Sequence, residues 1–437
     1  MTASHPKIRN LTALLAAFGA ATALLVAVNH GSAPPALPAS SDLAGAGVAR
    51  TTDALIATLQ RALRASPNDV AARTGLADAY LQKVRETGDP SFYPRAQALL
   101  ADALRRRPRD SAGLTVAGTL ALARHDFGGA LRLGEAALRA APDTIRPLGV
   151  IADAQVELGR YDDAARTLQR MVDAKPSLAS YARVSYYREL HGDLAGAAEA
   201  MSLAVDAGGQ APENVAYVQT LLGNLNFDRG RLDAARRAYL TALVGQPGFP
   251  AASAGLARVE AARGQLAAAI RRYRAVVARL PLPEYVVGLG EAELAAGRPD
   301  AARRDLALVG AEERLLQANG VNTDVDLAIY EASHGNPRLG VLLGRRAWAA
   351  APSVRSADAL GWALTRAGRP REGLAYAHRA LRLGSRDPLF LFHAGIAARD
   401  AGQPAEARRL LTDSIRLNPR FSALWGPRAR QALRALP

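Results

Sequence analysis

Apolar residues along this chain fall into blocks that recur. Past residue 70, a block carries a leucine followed by a small residue, as in Leu222-Gly223, Leu256-Ala257, Leu289-Gly290 and Leu360-Gly361. A break follows, usually with glycine: Gly159, Gly192, Gly230, Gly264, Gly297, Gly335, Gly368 and Gly402. Glycine suits the left-handed residue that ends a helix. The aspartates just beyond (Asp162, Asp193, Asp233, Asp300) suit the start of the next one. A second apolar block then sets a small residue twelve positions before a proline. The pattern predicts a helix, a turn and a second helix closed by proline, many times over.

The prolines give the period. Pro108, Pro142 and Pro176 are 34 apart, as are Pro247 and Pro281. Ten units follow: 70–110, 111–144, 145–177, 178–215, 216–249, 250–282, 283–320, 321–353, 354–387 and 388–421. The small residue of the first helix is Ala77, Gly118, Ala152, Ser185, Gly223, Ala257, Gly290, Ala328, Gly361 and Gly395. That of the second is Ala96, Ala130, Ala164, Ala197, Ala235, Ala269, Ala302, Gly340, Gly373 and Ala407. Small residues at two fixed points let paired helices approach closely, and a pair that cannot bury its own apolar face must stack on the next.

In these features the chain resembles the tetratricopeptide repeat family, whose 34-residue pattern carries a Leu-Gly pair, then Ala-x3-Phe, then Pro. Leu222-Gly223, Ala235-x3-Tyr239 and Pro247, and Leu256-Ala257, Ala269-x3-Tyr273 and Pro281, match it best. The family's first-helix Tyr stands only at Tyr80, and its Trp is missing from the full units. The resemblance implies an all-α, right-handed superhelical solenoid over residues 51–437. Residues 51–66 are expected to cap it at one end, and 422–437, with Trp425 where the family's Trp falls, at the other. The first unit is longer by seven residues around Glu86 to Tyr93. The fourth and seventh are extended near Gly208 to Pro212 and Glu312 to Asn319. These read as loop insertions, with extra contact surface as the alternative.

The N-terminus has a different pattern. His5, Lys7 and Arg9 precede an apolar run from Leu11 to Val28, and a Pro/Ala/Ser stretch follows. This is the layout of an export signal or a single membrane anchor over 1–32, with a linker over 33–50. The bulk of the chain is expected outside the cytoplasm, secreted or held at the membrane, since the basic head stays inside.

Composition adds exclusions. The 437 residues are 49% hydrophobic but only 5% aromatic, so Ala, Leu and Val supply the core, which favours helices over sheets. The absence of cysteine rules out disulfides, thiolate metal sites and a catalytic thiol. Among 55 basic residues only Lys7, Lys83 and Lys175 are lysines, and the net charge is +15. Charge of that sign could serve a polyanion, but the arginine bias is also what GC-rich coding produces, and no specific nucleic acid is expected. No phosphate loop, zinc helix or nucleophile elbow is present. His125, His191 and His334 lie at first-helix ends or turns and read as helix caps. The chain is expected to be no enzyme and to need no cofactor or metal.

The resemblance implies a concave groove lined by first helices. Carried over unit by unit, the groove positions include Tyr186, Tyr217, Asn224, Phe227, Arg258, Trp362, Arg366 and Phe392, whose aromatics would anchor a peptide or a partner protein. The Lys/Asn/Arg clamp of some family members is not expected, because Thr220 stands where Lys is wanted. Arginine doublets on second helices (Arg236-Arg237, Arg271-Arg272, Arg303-Arg304) predict a basic convex side. The expected function is a scaffold holding a partner segment in the groove. The alternative is an adaptor for anionic lipid or cell-envelope polymer acting through the convex arginines.

Overall fold

The computed structural model describes residues 51–208 and 212–437. The expected export segment and linker lie outside them, as does part of the extension near Gly208. Every regular element among the described residues is a helix. Helix α1 (Thr52–Ala65) precedes α2 (Val70–Thr87) and α3 (Phe92–Arg106), α4 (Ser111–Ala123) and α5 (Phe127–Ala140), α6 (Arg146–Glu157) and α7 (Tyr161–Ala174), and α8 (Leu178–Leu190) and α9 (Leu194–Ala207). Then come α10 (Pro212–Asp228) and α11 (Leu232–Gly245), α12 (Pro250–Ala262) and α13 (Leu266–Arg279), α14 (Pro283–Ala295) with α15 (Pro299–Leu306) and α16 (Val309–Ala318), and α17 (Asp324–His334) and α18 (Pro337–Ala350). The series closes with α19 (Val354–Arg366) and α20 (Pro370–Ala380), α21 (Pro388–Asp400) and α22 (Pro404–Leu417), and α23 (Trp425–Arg434). The seventh unit departs from two helices, because its extension forms α16.

The pairing rests on the small residues. All twenty positions that the sequence singles out are buried. At Gly223 the reason is direct: a Cβ there would lie 2.4 Å from the Tyr239 ring, and one on Gly255 would meet the same ring at 2.4 Å. Tyr239 fills the space between two successive first helices, and its hydroxyl donates to Asn224 Oδ1 at 2.7 Å. Seven of the eight turn glycines have φ between 71° and 81°. Gly335 differs, with φ −121°, because its turn is one residue shorter and Pro337 starts α18. In the second unit His125 takes the left-handed place, at φ 59°. Asp193 caps α9 by accepting from the Gly196 amide at 2.7 Å.

The units wind into a superhelix whose turns touch. The inner turn of one unit meets the loop that ends the fifth unit further on. A Cβ on Gly88 would collide with Leu280, and one on Gly159 would lie 2.5 Å from the Pro352 carbonyl oxygen. The Asn322 amide donates to the Arg124 carbonyl at 3.0 Å, and His125 Nδ1 is bonded to the Asn322 carbonyl at 2.6 Å. The Tyr161 hydroxyl accepts from the Val354 amide at 2.9 Å, and Asn418 Nδ2 donates to the Phe227 carbonyl at 2.7 Å. Repeat arrays are ordinarily held by neighbour contacts alone; here residues some 190 apart are bonded as well.

Candidate functional site

Closure turns the concave side into a chamber. Its cavity of about 460 Å3 is lined from both ends of the array, from Tyr93 and His125 through Arg258 and Tyr285 to His393 and Trp425. That volume suits a small ligand or a few residues of a peptide. Two segments that break the 34-residue period form part of the wall. Gly88, Pro90 and Tyr93 come from the insertion in the first unit, and Val309, Glu313 and Leu316 from α16. The sequence reading favoured tolerated loops at these places; the second forms a helix whose Val309 and Glu313 are buried.

The wall is acidic although the chain is basic. Asp228, Glu284, Glu291, Glu313, Asp326, Asp358 and Asp387 line it, against Arg85, Arg258 and Arg355. Most of the carboxylates are engaged. Asp228 accepts from Arg258, whose guanidinium also lies 3.9 Å from the Phe227 ring centre. Asp326 faces Arg355 at 3.6 Å. Glu291 Oε1 accepts from Trp425 Nε1 at 2.7 Å and is bonded to His334 Nε2 at 3.1 Å. Asp358 is bonded to His393 Nδ1 at 3.0 Å, and that imidazole stacks on Trp362. Asp387 caps α21 through the amides of Leu389 and Phe390.

Enclosure shifts these groups. Burial, and then the charge of Asp228, pushes Asp387 well above the usual carboxylate range. Asp228 also rises through burial, with Arg258 opposing it. Glu284 is exposed, but to the cavity, and the surrounding protein, followed by Asp326, pushes its carboxyl up to about 7. Glu313 is 3% exposed and rises to about 7 through burial and the charges of Asp326 and Glu284, opposed by a hydrogen bond with Thr323. Its Oε2 has no hydrogen-bond partner.

The carried-over groove residues sit elsewhere than expected. Tyr186, Tyr217, Phe227, Trp362 and Phe392 are buried. The Tyr186 hydroxyl donates to Glu157 at 3.0 Å. Trp362 packs against Phe392 and Trp425 and donates to Ser333 Oγ at 3.0 Å. Asn224 is occupied by Tyr239. Arg366 donates to the Ala332 carbonyl at 3.2 Å. Of the eight, Phe227 and Arg258 line the cavity. Close packing of successive first helices covers Tyr186, Tyr217, Trp362 and Phe392, so they are part of the core, whereas Asn224 is half-buried and Arg366 exposed outside the cavity. Glu291 falls at a carried-over groove position; the acidic lining as a set had no signal in the sequence, because its members come singly from different units. His191 caps α8 through the Tyr187 carbonyl at 2.9 Å, as expected, whereas His334 reaches across the chamber to Glu291 and His125 to the next superhelical turn.

The arginine doublets do face outward. Arg236, Arg237, Arg271, Arg303 and Arg304 are exposed. Arg272 is half-buried against Glu260 at 2.7 Å, and Arg303 pairs with Asp300. No helix among the described residues is long and apolar enough to cross a membrane, and no group of three His, Asp or Glu side chains among them is placed to hold a metal ion.

Two models of the tetratricopeptide repeat match the chain. One matches residues 121–184, the other 91–144, 220–281, 255–314 and 359–420. Together they span more than half of the sequence. No curated protein matches it. Among solved structures it is similar to a chain of the APC/C hetero-tetramer Cut9–Hcn1, at 13% identity over 88% of this chain and 92% of that one, with a TM-score of 0.33. It is also similar to MamA protein (20% identity, 39% and 92% covered, TM-score 0.30) and to the TPR domain of P58(IPK) (14% identity, 88% and 94% covered, TM-score 0.28).

Proposed function

The chain belongs to the tetratricopeptide repeat family, a family of protein-interaction scaffolds, and from that premise we propose that it is a non-enzymatic scaffold holding a short segment of a partner protein inside its axial chamber. The observation that carries this reading is the cavity of about 460 Å3 on the concave side, walled by first helices of successive units. Repeat superhelices present their binding surface on that side, and here closure narrows it from an open groove to a chamber. The occupant is therefore a few residues of extended chain, a loop tip or a terminus, rather than a long helix.

The scaffold works outside the cytoplasm in this proposal, secreted or tethered by residues 1–32. The basic head, the apolar run from Leu11 to Val28 and the Pro-rich stretch after it support that location. Cell fractionation, with N-terminal sequencing of the recovered protein, tests it; recovery of the intact chain in the soluble cytoplasm would overturn it.

A second reading rests on the exposed doublets Arg236-Arg237 and Arg303-Arg304: contact with anionic lipid or envelope polymer along the convex side. A photo-crosslinking residue placed at Glu284 in the chamber, and in a separate variant at Arg237 outside, discriminates the two. Discrete proteins captured from position 284 and not from 237 support the chamber. Capture confined to 237, or retention on anionic vesicles that falls steeply with salt, supports the convex side.

A further inference from the structure

The wall of the chamber says what chemistry it takes. Its arginines have carboxylate neighbours: Arg258 holds Asp228, Arg355 faces Asp326, and Arg85 feels Glu213 and Asp78. Glu284 and Glu313 are left. Glu313 feels the charge of Glu284, both feel that of Asp326, and no described basic side chain is among the groups acting on either. Glu313 carries an oxygen without a hydrogen-bond partner although the residue is almost wholly buried, and it lines the cavity. A buried acceptor left empty costs free energy that a donor on a ligand would recover. Tyr273 and Tyr285 line the same cavity, and Tyr285 lies within the reach of the Glu284 charge. Aromatic faces favour an alkyl stem and attract a cation.

We propose that the chamber receives an organic cation, an ammonium or guanidinium group on an alkyl stem, with its head between Glu284 and Glu313 and its stem along Tyr273 and Tyr285. The carboxylates of the wall are spread among units rather than gathered on one point, which suits a head with several N–H donors on a flexible stem rather than a bare metal ion. The same chemistry comes from two sources: the lysine or arginine side chain of a partner segment, or a free amine. The assignment rests on the chamber reading given above and names its ligand class.

Titration of the full chain with two cationic probes tests it, with Trp425 fluorescence and calorimetry as readouts, since Trp425 lines the cavity. The probes are agmatine and the blocked peptide acetyl-Leu-Lys-Leu-amide; acetyl-Leu-Glu-Leu-amide is the control. Saturable binding of either cation and none of the acidic peptide is expected. Glu284→Gln and Glu313→Gln should each weaken binding by about tenfold or more, the scale of a lost charge-assisted hydrogen bond, with circular dichroism unchanged; Arg237→Gln should not. Tighter binding of the lysine peptide assigns the cation to a partner's side chain, tighter binding of agmatine to a free amine. Equal binding of the Lys and Glu peptides, or undiminished binding in both Gln variants, overturns the cation. A protein still captured from position 284 would then leave the scaffold standing with another ligand chemistry. Agmatine binding with no protein captured there keeps the cation and overturns the scaffold reading.

Discussion

Replacing Tyr161 by Phe removes one oxygen and tests whether contact between superhelical turns carries stability. The hydroxyl accepts from the Val354 amide at 2.9 Å, and both residues are buried, at 6% and 2% exposed. The amide belongs to the first turn of α19, so no helical carbonyl can take its place. The ring remains and keeps its packing against Val156, Tyr186 and Val354, so no cavity term enters. What is lost is the bond, and what remains is a buried donor without an acceptor, costing ~1–3 kcal/mol. Urea unfolding of the full chain measures it, followed by tryptophan fluorescence. Trp348, Trp362 and Trp425 all lie in the last third of the chain. In an array held by neighbour contacts alone, a change in the third unit would leave that signal unmoved. Here the tryptophan transition itself should shift to lower urea. An unmoved transition, or a loss below ~0.5 kcal/mol, would refute the argument that closure ties the third unit to the ninth.

Three further outcomes are expected. Ala269→Asp puts an unpaired carboxylate at a fully buried helix contact and should cost several kcal/mol on the order of a buried lone charge, read as a large drop in Tm. Gly223→Ala presses a methyl into the Tyr239 ring and should cost ~1–3 kcal/mol by overpacking; an unchanged Tm would show that Tyr239 moves freely. Glu313 titrates near 7 when folded, against an ordinary value of 4.5. Between those values the folded chain binds the proton more readily than the unfolded one, so this group lowers stability as pH rises through the window. Glu313→Gln should therefore stabilise the protein at pH 8, by ~1–3 kcal/mol, and much less at pH 5. Equal gains at both pH values would contradict the shift.

The repeat is legible in the sequence because its requirement is local and recurs. Each helix pair needs a small residue where its axes cross, and from the second unit to the tenth that residue stands seven before and five after the turn residue, a glycine in all but the second. The chamber is not legible. Whether a first-helix position faces the open concave side or a neighbouring helix depends on how far successive units rotate, and side chains such as Tyr239 over Gly223 and Gly255 set that rotation. A carry-over of family positions assumes the family's rotation, which is why Trp362 and Tyr217 fell to the core. The bond from Tyr161 to Val354 leaves no trace in the spacing, since its partners are unlike residues 193 apart. Glu284 and Glu313 look like any surface glutamate on a helix until closure buries Glu313 and leaves Glu284 facing the cavity.

Closure also sets a clock on the nascent chain. At ~5–20 residues per second, the roughly 190 residues between an inner turn and the loop it docks on take ~10–40 s to be made. Throughout that interval Gly88 has no Leu280 to lie against and the Tyr161 hydroxyl no Val354 amide to receive. Early units therefore stack on their neighbours and wait, stable only as a short rod, until the sixth unit and those after it arrive. A truncated product ending before residue 280 would lack the Leu280 contact and all later ones, and so be open to proteolysis along the whole face that the missing half covers.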